Sequence, residues 1–136
     1  MQSRPFPSAL VALILAIAGV NALAQEHSWY WTMRWFDMPM HFAGGVWLAG
    51  AALWFRFFSG RFQTASTTFN SLALWGVGAS FGVGFAWEVY EGIVSLIMRG
   101  HLNAMPDTLG DLAFAILGGL VVSLVVYVKL KNQNAK

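Results

Sequence analysis

The sequence predicts an all-α membrane protein, a polytopic transmembrane four-helix bundle that forms a single domain over residues 1–136. Hydrophobic residues make up 57% of the chain and charged residues only 10%, whereas a soluble domain carries roughly 25% charged residues. Apolar segments of the ~20 residues that a transmembrane helix needs alternate with short polar stretches. We expect the four spans at about residues 6–24, 39–58, 71–98 and 108–130.

Composition excludes several classes of protein. The chain has no cysteine, so it forms no disulfide and no cysteine-ligated zinc or iron-sulfur centre. Its net charge of +2 comes from only eight Lys and Arg residues. These lie at the ends of the apolar segments, a distribution that indicates membrane topology and not nucleic-acid binding. The expected partner is the lipid bilayer.

The first apolar segment, residues 6–24, has two interpretations. Arg4 precedes it and Ala22 and Ala24 form a small-x-small pattern at its end, which is also typical of a cleaved secretory signal peptide. We favour an uncleaved transmembrane helix because three more apolar segments follow. If the segment is cleaved, the bundle has three helices.

Aromatic side chains dominate residues 25–37, where polar groups accompany them. Trp and Tyr concentrate at the membrane interface, so this segment predicts an interfacial loop or a short surface helix. Asp37, two residues before Pro39, is a candidate N-cap for the second span. Arg56 and Arg61 mark the end of that span.

A polar linker at residues 63–70 leads to the third span. That span is long for ~30 Å of hydrocarbon, and we expect it to tilt or protrude. A loop at residues 99–107 connects it to the fourth span, for which Asp107 or Thr108 is a candidate N-cap.

Basic residues are distributed unequally between alternate loops. Only Arg34 and Arg99 lie on one side of the predicted membrane. The others, on the opposite side, are Arg4, Arg56, Arg61, Lys129, Lys131 and Lys136. By the positive-inside rule, both termini are cytoplasmic.

In this topology all six acidic residues fall on the outer side. They are Glu26, Asp37, Glu88, Glu91, Asp107 and Asp111. Glu88 lies about 25 Å along the third helix at ~1.5 Å per residue. It is therefore level with the beginnings of the second and fourth spans.

Helical spacing predicts that these polar residues face one another. They form pairs three or four residues apart, so each pair shares one helix face. The pairs are Asp37 and His41, Glu88 and Glu91, and Asp107 and Asp111. The faces continue through small residues, which let membrane helices approach closely. The three stripes are His41-Gly45-Ala49, Glu88-Gly84-Ser80-Gly76 and Asp111-Ala115-Gly119-Ser123.

Glu88 carries the functional hypothesis. A charge at the centre of a bilayer costs at least ~2.5 to 3.5 kcal/mol, and Glu91 one turn away makes ionisation of Glu88 still less favourable. We therefore expect a proton or a divalent metal ion at this site. The candidate metal ligands are His41, Glu88, Glu91 and Asp111, of which Glu88 and Asp111 are also candidate catalytic carboxylates.

The ligand types indicate the metal. One imidazole with several carboxylates suits Zn, Mn or Fe, whereas carboxylates alone suit Mg. Three further residues, Asp37, Asp107 and Arg99, complete the polar site. Each feature also has a structural explanation, because the aspartates suit N-caps, His41 suits packing, and Arg99 suits an interfacial ion pair.

The polar motifs resemble those of the VanZ-like proteins and the related YjdF-type small membrane proteins. The similar motifs, between about residues 36 and 119, are Asp37-Met38-Pro39-Met40-His41-Phe42, Glu88-Val89-Tyr90-Glu91, Arg99, and Asp107-Thr108-Leu109-Gly110-Asp111 followed by Gly118-Gly119. Glu91 stands where those proteins tend to carry Gln, and Ala115 where they carry Asn. The resemblance implies a helical bundle of the bacterial inner membrane with an envelope function, a class associated with glycopeptide-antibiotic resistance.

Three functions are compatible with these residues. The first is metal-dependent hydrolysis of a lipid-linked or headgroup substrate, with a carboxylate as the base. The second is a proton- or cation-coupled carrier or accessory subunit, in which Glu88 binds H⁺ or a metal without chemistry. The third is a purely structural bundle.

Overall fold

A computed structural model describes residues 5–33, 35–62, 66–100 and 105–135, and all its regular structure is helical. The helices are α1 (Ser8–Glu26), α2 (Trp29–Thr32), α3 (Asp37–Leu53), α4 (Phe69–Arg99) and α5 (Met105–Asn134). A π-helical turn, Trp54–Phe58, extends α3. The all-α polytopic membrane bundle is therefore confirmed.

Some residues used in the topology prediction lie outside the described residues. They are Arg4, Arg34, Lys136, the start of the polar linker at 63–65, and residues 101–104 of the loop before α5. The rest of the linker is short, because α4 already begins at Phe69.

Within the described ranges, three helices are long and apolar enough to cross a membrane, namely α1, α4 and α5. α4 has 31 residues and a length of about 46 Å at ~1.5 Å per residue, well beyond the hydrocarbon thickness. α3 has only 17 α-helical residues. The five residues of the π-helical turn bring it to the usual length of a span.

The helices α3, α4 and α5 form the core of the bundle, and α1 packs on the outer face of α3. Trp47 Nε1 donates a hydrogen bond of 2.9 Å to the carbonyl of Leu10, and Trp54 Nε1 donates one of 3.1 Å to the carbonyl of Pro5. Only Ala24 of α1 is buried. The first predicted span is thus a peripheral helix and not an equal partner in the core.

The core is formed by the three small-residue stripes. Apart from His41, every residue of the stripes is buried. A Cβ on Gly45 would collide with the backbone carbonyl of Ala115, and one on Gly118 would collide with the carbonyl of Phe42. α3 and α5 are therefore in backbone contact, the close approach that small residues allow in membranes.

Serine hydroxyl groups form hydrogen bonds between α4 and both of its neighbours, α3 and α5. Ser80 Oγ lies 2.8 Å from the Gly45 carbonyl of α3 and 3.0 Å from the Gly76 carbonyl of its own helix. Ser123 Oγ of α5 lies 3.2 Å from the Leu72 carbonyl of α4. Both hydroxyls are fully buried, so each donates to a carbonyl inside the bundle.

The helix ends differ from the predicted caps. The Asp37 N-cap prediction is wrong: Asp37 is the first residue of α3, Phe36 precedes it as the N-cap residue, and no side chain caps this end. Asp107 lies inside the first turn of α5, which begins at Met105. By contrast, Thr68 caps α4 by accepting from Ser71 N–H at 3.4 Å.

Charge is segregated along the bundle. The chain reverses direction between α1 and α3, between α3 and α4, and between α4 and α5, so acidic positions meet at one end. We call this the acidic end, with Glu26, Asp37, Glu88, Glu91, Asp107 and Asp111. The opposite, basic end has Arg56, Arg61, Lys129 and Lys131.

Replacing Gly45 with alanine should destabilise the bundle. The new methyl group would meet the Ala115 backbone, and overpacking costs ~1 to 3 kcal/mol, more than the ~1 kcal/mol that alanine gains as a helix former. Gly44→Ala is the matched control, since nothing lies within 4 Å of its Cβ. Thermal unfolding in detergent should show a lower midpoint for Gly45→Ala than for Gly44→Ala. Equal midpoints would contradict the α3–α5 contact.

Candidate functional site

The first turn of α3 supplies two residues of the site, Asp37 and His41. Their spacing of four places both on one helix face, and His41 Nε2 lies 3.5 Å from Asp37 Oδ1. The Asp37 side chain is 37% exposed, whereas that of His41 is 10% exposed. The carboxylate therefore borders the interface and the imidazole lies between the helices.

The middle of the site is Glu88 of α4. Its side chain is only 4% exposed, and its Oε1 lies 3.7 Å from His41 Nε2. That oxygen is buried and accepts no hydrogen bond from any residue that the structure describes. Burying a carboxylate oxygen that accepts no hydrogen bond destabilises the folded protein, and it does so by more than burying a neutral polar group. This atom is the clearest unmet polar requirement of the acidic end.

Asp111 of α5 and Glu91 of α4 complete the site. Asp111 is 6% exposed and lies one turn before Ala115, whose backbone contacts Gly45. Glu91 is half-buried, one turn beyond Glu88. Three different helices therefore contribute side chains at one level, as the spacing predicts.

Two groups of donor atoms have the compactness of a metal site. In each group one donor atom per residue lies within 4.8 Å of the others. The groups are Asp37, His41 and Asp111, and His41, Glu88 and Glu91. Because both contain His41, we treat the five residues as one site, the His41 cluster: Asp37, His41, Glu88, Glu91 and Asp111.

The short helix α2 lies beside the His41 cluster. Burial raises the pKa of the Tyr30 phenol above its ordinary value, and the negative charges of Asp37 and Glu91 raise it further. The Tyr30 hydroxyl donates a 2.8 Å hydrogen bond to Asn21 Oδ1 of α1. Tyr30 was not among the sequence-predicted site residues, because nothing in an interfacial aromatic segment shows which ring turns toward the cluster.

The predicted polar site is only partly brought together. His41, Glu88, Glu91 and Asp111 are neighbours, and Asp37 joins them as a fifth member of the cluster. Asp107 is exposed in the first turn of α5 and belongs to neither donor group. The Arg99 guanidinium lies over the Trp31 ring, 4.5 Å from its centroid, and forms no ion pair within the described residues.

Below the His41 cluster the interface between the helices is closed. Glycines and alanines bring the backbones together, and the buried hydroxyls of Ser80 and Ser123 donate to backbone carbonyls. The buried residues of this middle section carry no charge. Ionisable groups are thus confined to the ends of the bundle.

Comparison with known proteins supports a membrane protein. A family model described as "Predicted membrane protein (DUF2238)" matches residues 2–132. No curated protein and no solved structure matches the chain. The family description agrees with the helical bundle and names no activity.

Removing the charge of Glu88 should stabilise the metal-free protein. At pH 8 and with chelator present, Glu88→Gln relieves repulsion from the neighbouring carboxylates and adds an amide that can donate to them, while its carbonyl oxygen stays beside His41. We expect a gain of about 1 kcal/mol, measured as a higher thermal midpoint in detergent. The exposed Asp107→Asn variant loses the same charge and should not raise the midpoint. A lower midpoint for Glu88→Gln would show that the ionised carboxylate is already satisfied within the protein.

Proposed function

We propose that this chain, a member of the DUF2238 family of membrane proteins, binds a divalent metal ion in the His41 cluster. The observation that carries the proposal is the Glu88 Oε1 atom, which is buried, accepts no hydrogen bond from the described residues and lies 3.7 Å from His41 Nε2. A cation bound there would neutralise the carboxylate and take up its free lone pair.

Charge balance also favours a divalent ion. The His41 cluster has four carboxylates and one imidazole. Even a protonated imidazole would balance only one of them, and like charges in close proximity oppose ionisation. Either protons or a cation must neutralise the others, and a divalent cation does so while using the oxygens as ligands.

The donor atoms fit a transition metal. Bonds of ~2.0 to 2.2 Å to nitrogen and oxygen place two ligands of one ion at most about 4.4 Å apart. Within each of the two groups of three residues the donors already lie within 4.8 Å of one another, so a small inward movement is enough to bind an ion in either group. One imidazole with carboxylates suits Zn, Mn or Fe, while a site using only the carboxylates would suit Mg.

We further propose hydrolysis of a lipid-linked or headgroup substrate. When bound, the metal ion supplies Lewis-acid polarisation of a phosphate or ester. Glu88 or Asp111 accepts the proton of the attacking water and returns it to the leaving oxygen. The resemblance of the motifs to VanZ-like envelope proteins supports a substrate of the membrane surface, and Trp and Tyr residues such as those of α2 favour the depth of lipid headgroups.

A carrier is less compatible with the closed middle of the bundle. A proton- or cation-coupled carrier needs polar groups along a path across the membrane. Here the path below the His41 cluster is filled by backbone contacts and by hydroxyls that donate to carbonyls. The excess of basic residues at the other end supports a cytoplasmic basic end, with the His41 cluster facing outward from a bacterial inner membrane.

Purified protein should contain about one divalent ion per chain, or take one up after chelation and addition of Mn²⁺ or Zn²⁺. Elemental analysis and thermal shift both measure this, since an ion at 100 times its Kd stabilises by ~2.7 kcal/mol. His41→Ala and Glu88→Gln should bind at least about tenfold more weakly.

Glu26→Gln and Asp107→Asn are the controls for metal binding, because each removes one carboxylate of the acidic end without touching the cluster. Equal metal content in all variants would contradict the site. Wild-type protein that binds no divalent ion would end the metal hypothesis. The remaining candidate functions would then be the carrier, if transport in liposomes follows a pH gradient, and otherwise the structural bundle.

Hydrolysis should require the same residues. Wild-type protein in liposomes should release phosphate or headgroup from a lipid phosphate, whereas Glu88→Gln and Asp111→Asn should lose at least about a hundredfold of the rate. In the cell membrane, the substrate should be cleaved when added to spheroplasts and not to inverted vesicles. Activity in inverted vesicles alone would reverse the proposed orientation, and equal rates for wild type and Glu88→Gln would contradict the catalytic role.

A further inference from the structure

The basic end contains a second buried polar atom without a hydrogen-bond partner among the described residues, in the side chain of Arg56. This residue lies in the π-helical turn at the end of α3. The turn is closed by Ser59, whose N–H donates 2.8 Å to the Trp54 carbonyl five residues earlier. The Ser59 hydroxyl also donates 2.6 Å to the Phe55 carbonyl. Single π-helical turns are frequent at functional sites.

The Arg56 guanidinium is surrounded by aromatic rings. Its Cζ lies 5.5 Å from the centroid of Phe57, 5.3 Å from that of Phe62 and 5.6 Å from that of Trp75. These contacts stabilise the cation. They provide no acceptor for Nη1, which is buried and has no hydrogen-bond partner among the described residues. Arg56 as a whole stays partly exposed, so its guanidinium can reach an outside acceptor if the side chain turns toward the surface.

The protein itself has no acid to pair with Arg56. All six acidic residues of the chain lie at the acidic end. A buried guanidinium is normally paired with an anion or with carbonyl oxygens. Among the described residues Nη1 has no such partner, and an anion from outside the chain would supply one.

An apolar groove begins beside Arg56 and points to the kind of anion. It lies between α3 and α4 and has a volume of about 410 Å³, which is within the ~300 to 1,000 Å³ of small-molecule sites. Its lining residues are all apolar: Ala52, Phe55, Leu74, Trp75, Gly78 and Ala79. Leu74 is 73% exposed, so the groove is open to the surrounding lipid.

Two guanidinium groups lie over aromatic rings that line this groove. Arg56 lies over Trp75, and the Cζ of Arg61 lies 5.8 Å from the centroid of Phe55. Both rings line the groove. The positive charge of both side chains therefore lies next to the apolar groove. This arrangement complements a molecule with an anionic head and a hydrocarbon tail.

We propose that this groove binds one anionic phospholipid, with its phosphate at Arg56 and Arg61 and one acyl chain along Leu74 and Gly78. Arginine suits this role because its planar fork matches phosphate oxygens. The site is separate from the His41 cluster and does not depend on its function. Free phosphate would pair with the guanidinium groups, but it has no hydrocarbon chain to fill the apolar groove.

Native mass spectrometry of the full chain with phosphatidylglycerol and phosphatidylcholine tests this proposal. Wild-type protein should retain phosphatidylglycerol preferentially. Arg56→Gln should reduce that retention about tenfold or more, the loss expected for a charge-assisted pair. Lys131→Gln removes the same charge from the basic end without touching the groove and should retain the lipid as wild type does.

A second pair of variants tests the acyl chain and remains informative if Arg56→Gln does not fold. No atom lies within 4 Å of a Cβ on Gly78 or on Gly82, but only Gly78 lines the groove. Gly78→Leu should therefore lose phosphatidylglycerol and Gly82→Leu should keep it. Retention by Gly78→Leu, tight binding of soluble glycerol phosphate, or equal losses in Arg56→Gln and Lys131→Gln would each overturn the proposal.

Discussion

The backbone contact of α3 with α5 is the constraint on which the site at the acidic end depends. Gly45 lies against Ala115, and Gly84 of α4 contacts Ala115 from the other side. His41, Asp111 and Glu88 each lie one helical turn, about 5.4 Å, from one of these residues. Their separation is therefore set by the packing of small residues and not by attraction among the charged groups. Without a hydrophobic force between helices in lipid, such packing is the main means of holding them together.

The same packing separates the two ends of the protein. Backbone contacts and internally bonded hydroxyls occupy the middle of the bundle, so the charged groups at either end have no continuous polar connection. Glu88 Oε1 at the acidic end and Arg56 Nη1 at the basic end are each buried without a hydrogen-bond partner among the described residues. These complementary needs are met most simply by different ligands, one at each membrane surface, which is why we assign metal chemistry to one end and lipid binding to the other.

Helical spacing was sufficient to predict the core and most of the His41 cluster. Small residues repeated every four positions identify a buried face on a membrane helix, and Glu88 and Asp111 lie on those faces. The role of Asp37 could not be predicted without knowing where α3 begins, since an N-cap aspartate and a first-turn aspartate give the same sequence pattern. The peripheral place of α1 could not be predicted, because its uniformly apolar sequence does not distinguish contact with lipid from contact with protein. From the sequence, Arg56 indicated only the membrane topology. Its aromatic surroundings could not be predicted, because they arise from the π-helical turn and from Trp75 on another helix.

We propose that three helices converge on one cation through a single imidazole. Pulsed electron paramagnetic resonance of the Mn²⁺-loaded protein measures this directly, through the coupling of the metal electrons to ligand nitrogen. We expect coupling to one histidine nitrogen in wild-type protein, in Asp107→Asn and in His27→Gln, and its loss in His41→Gln. A Mn²⁺ signal without nitrogen coupling, or coupling that persists in His41→Gln, would contradict it.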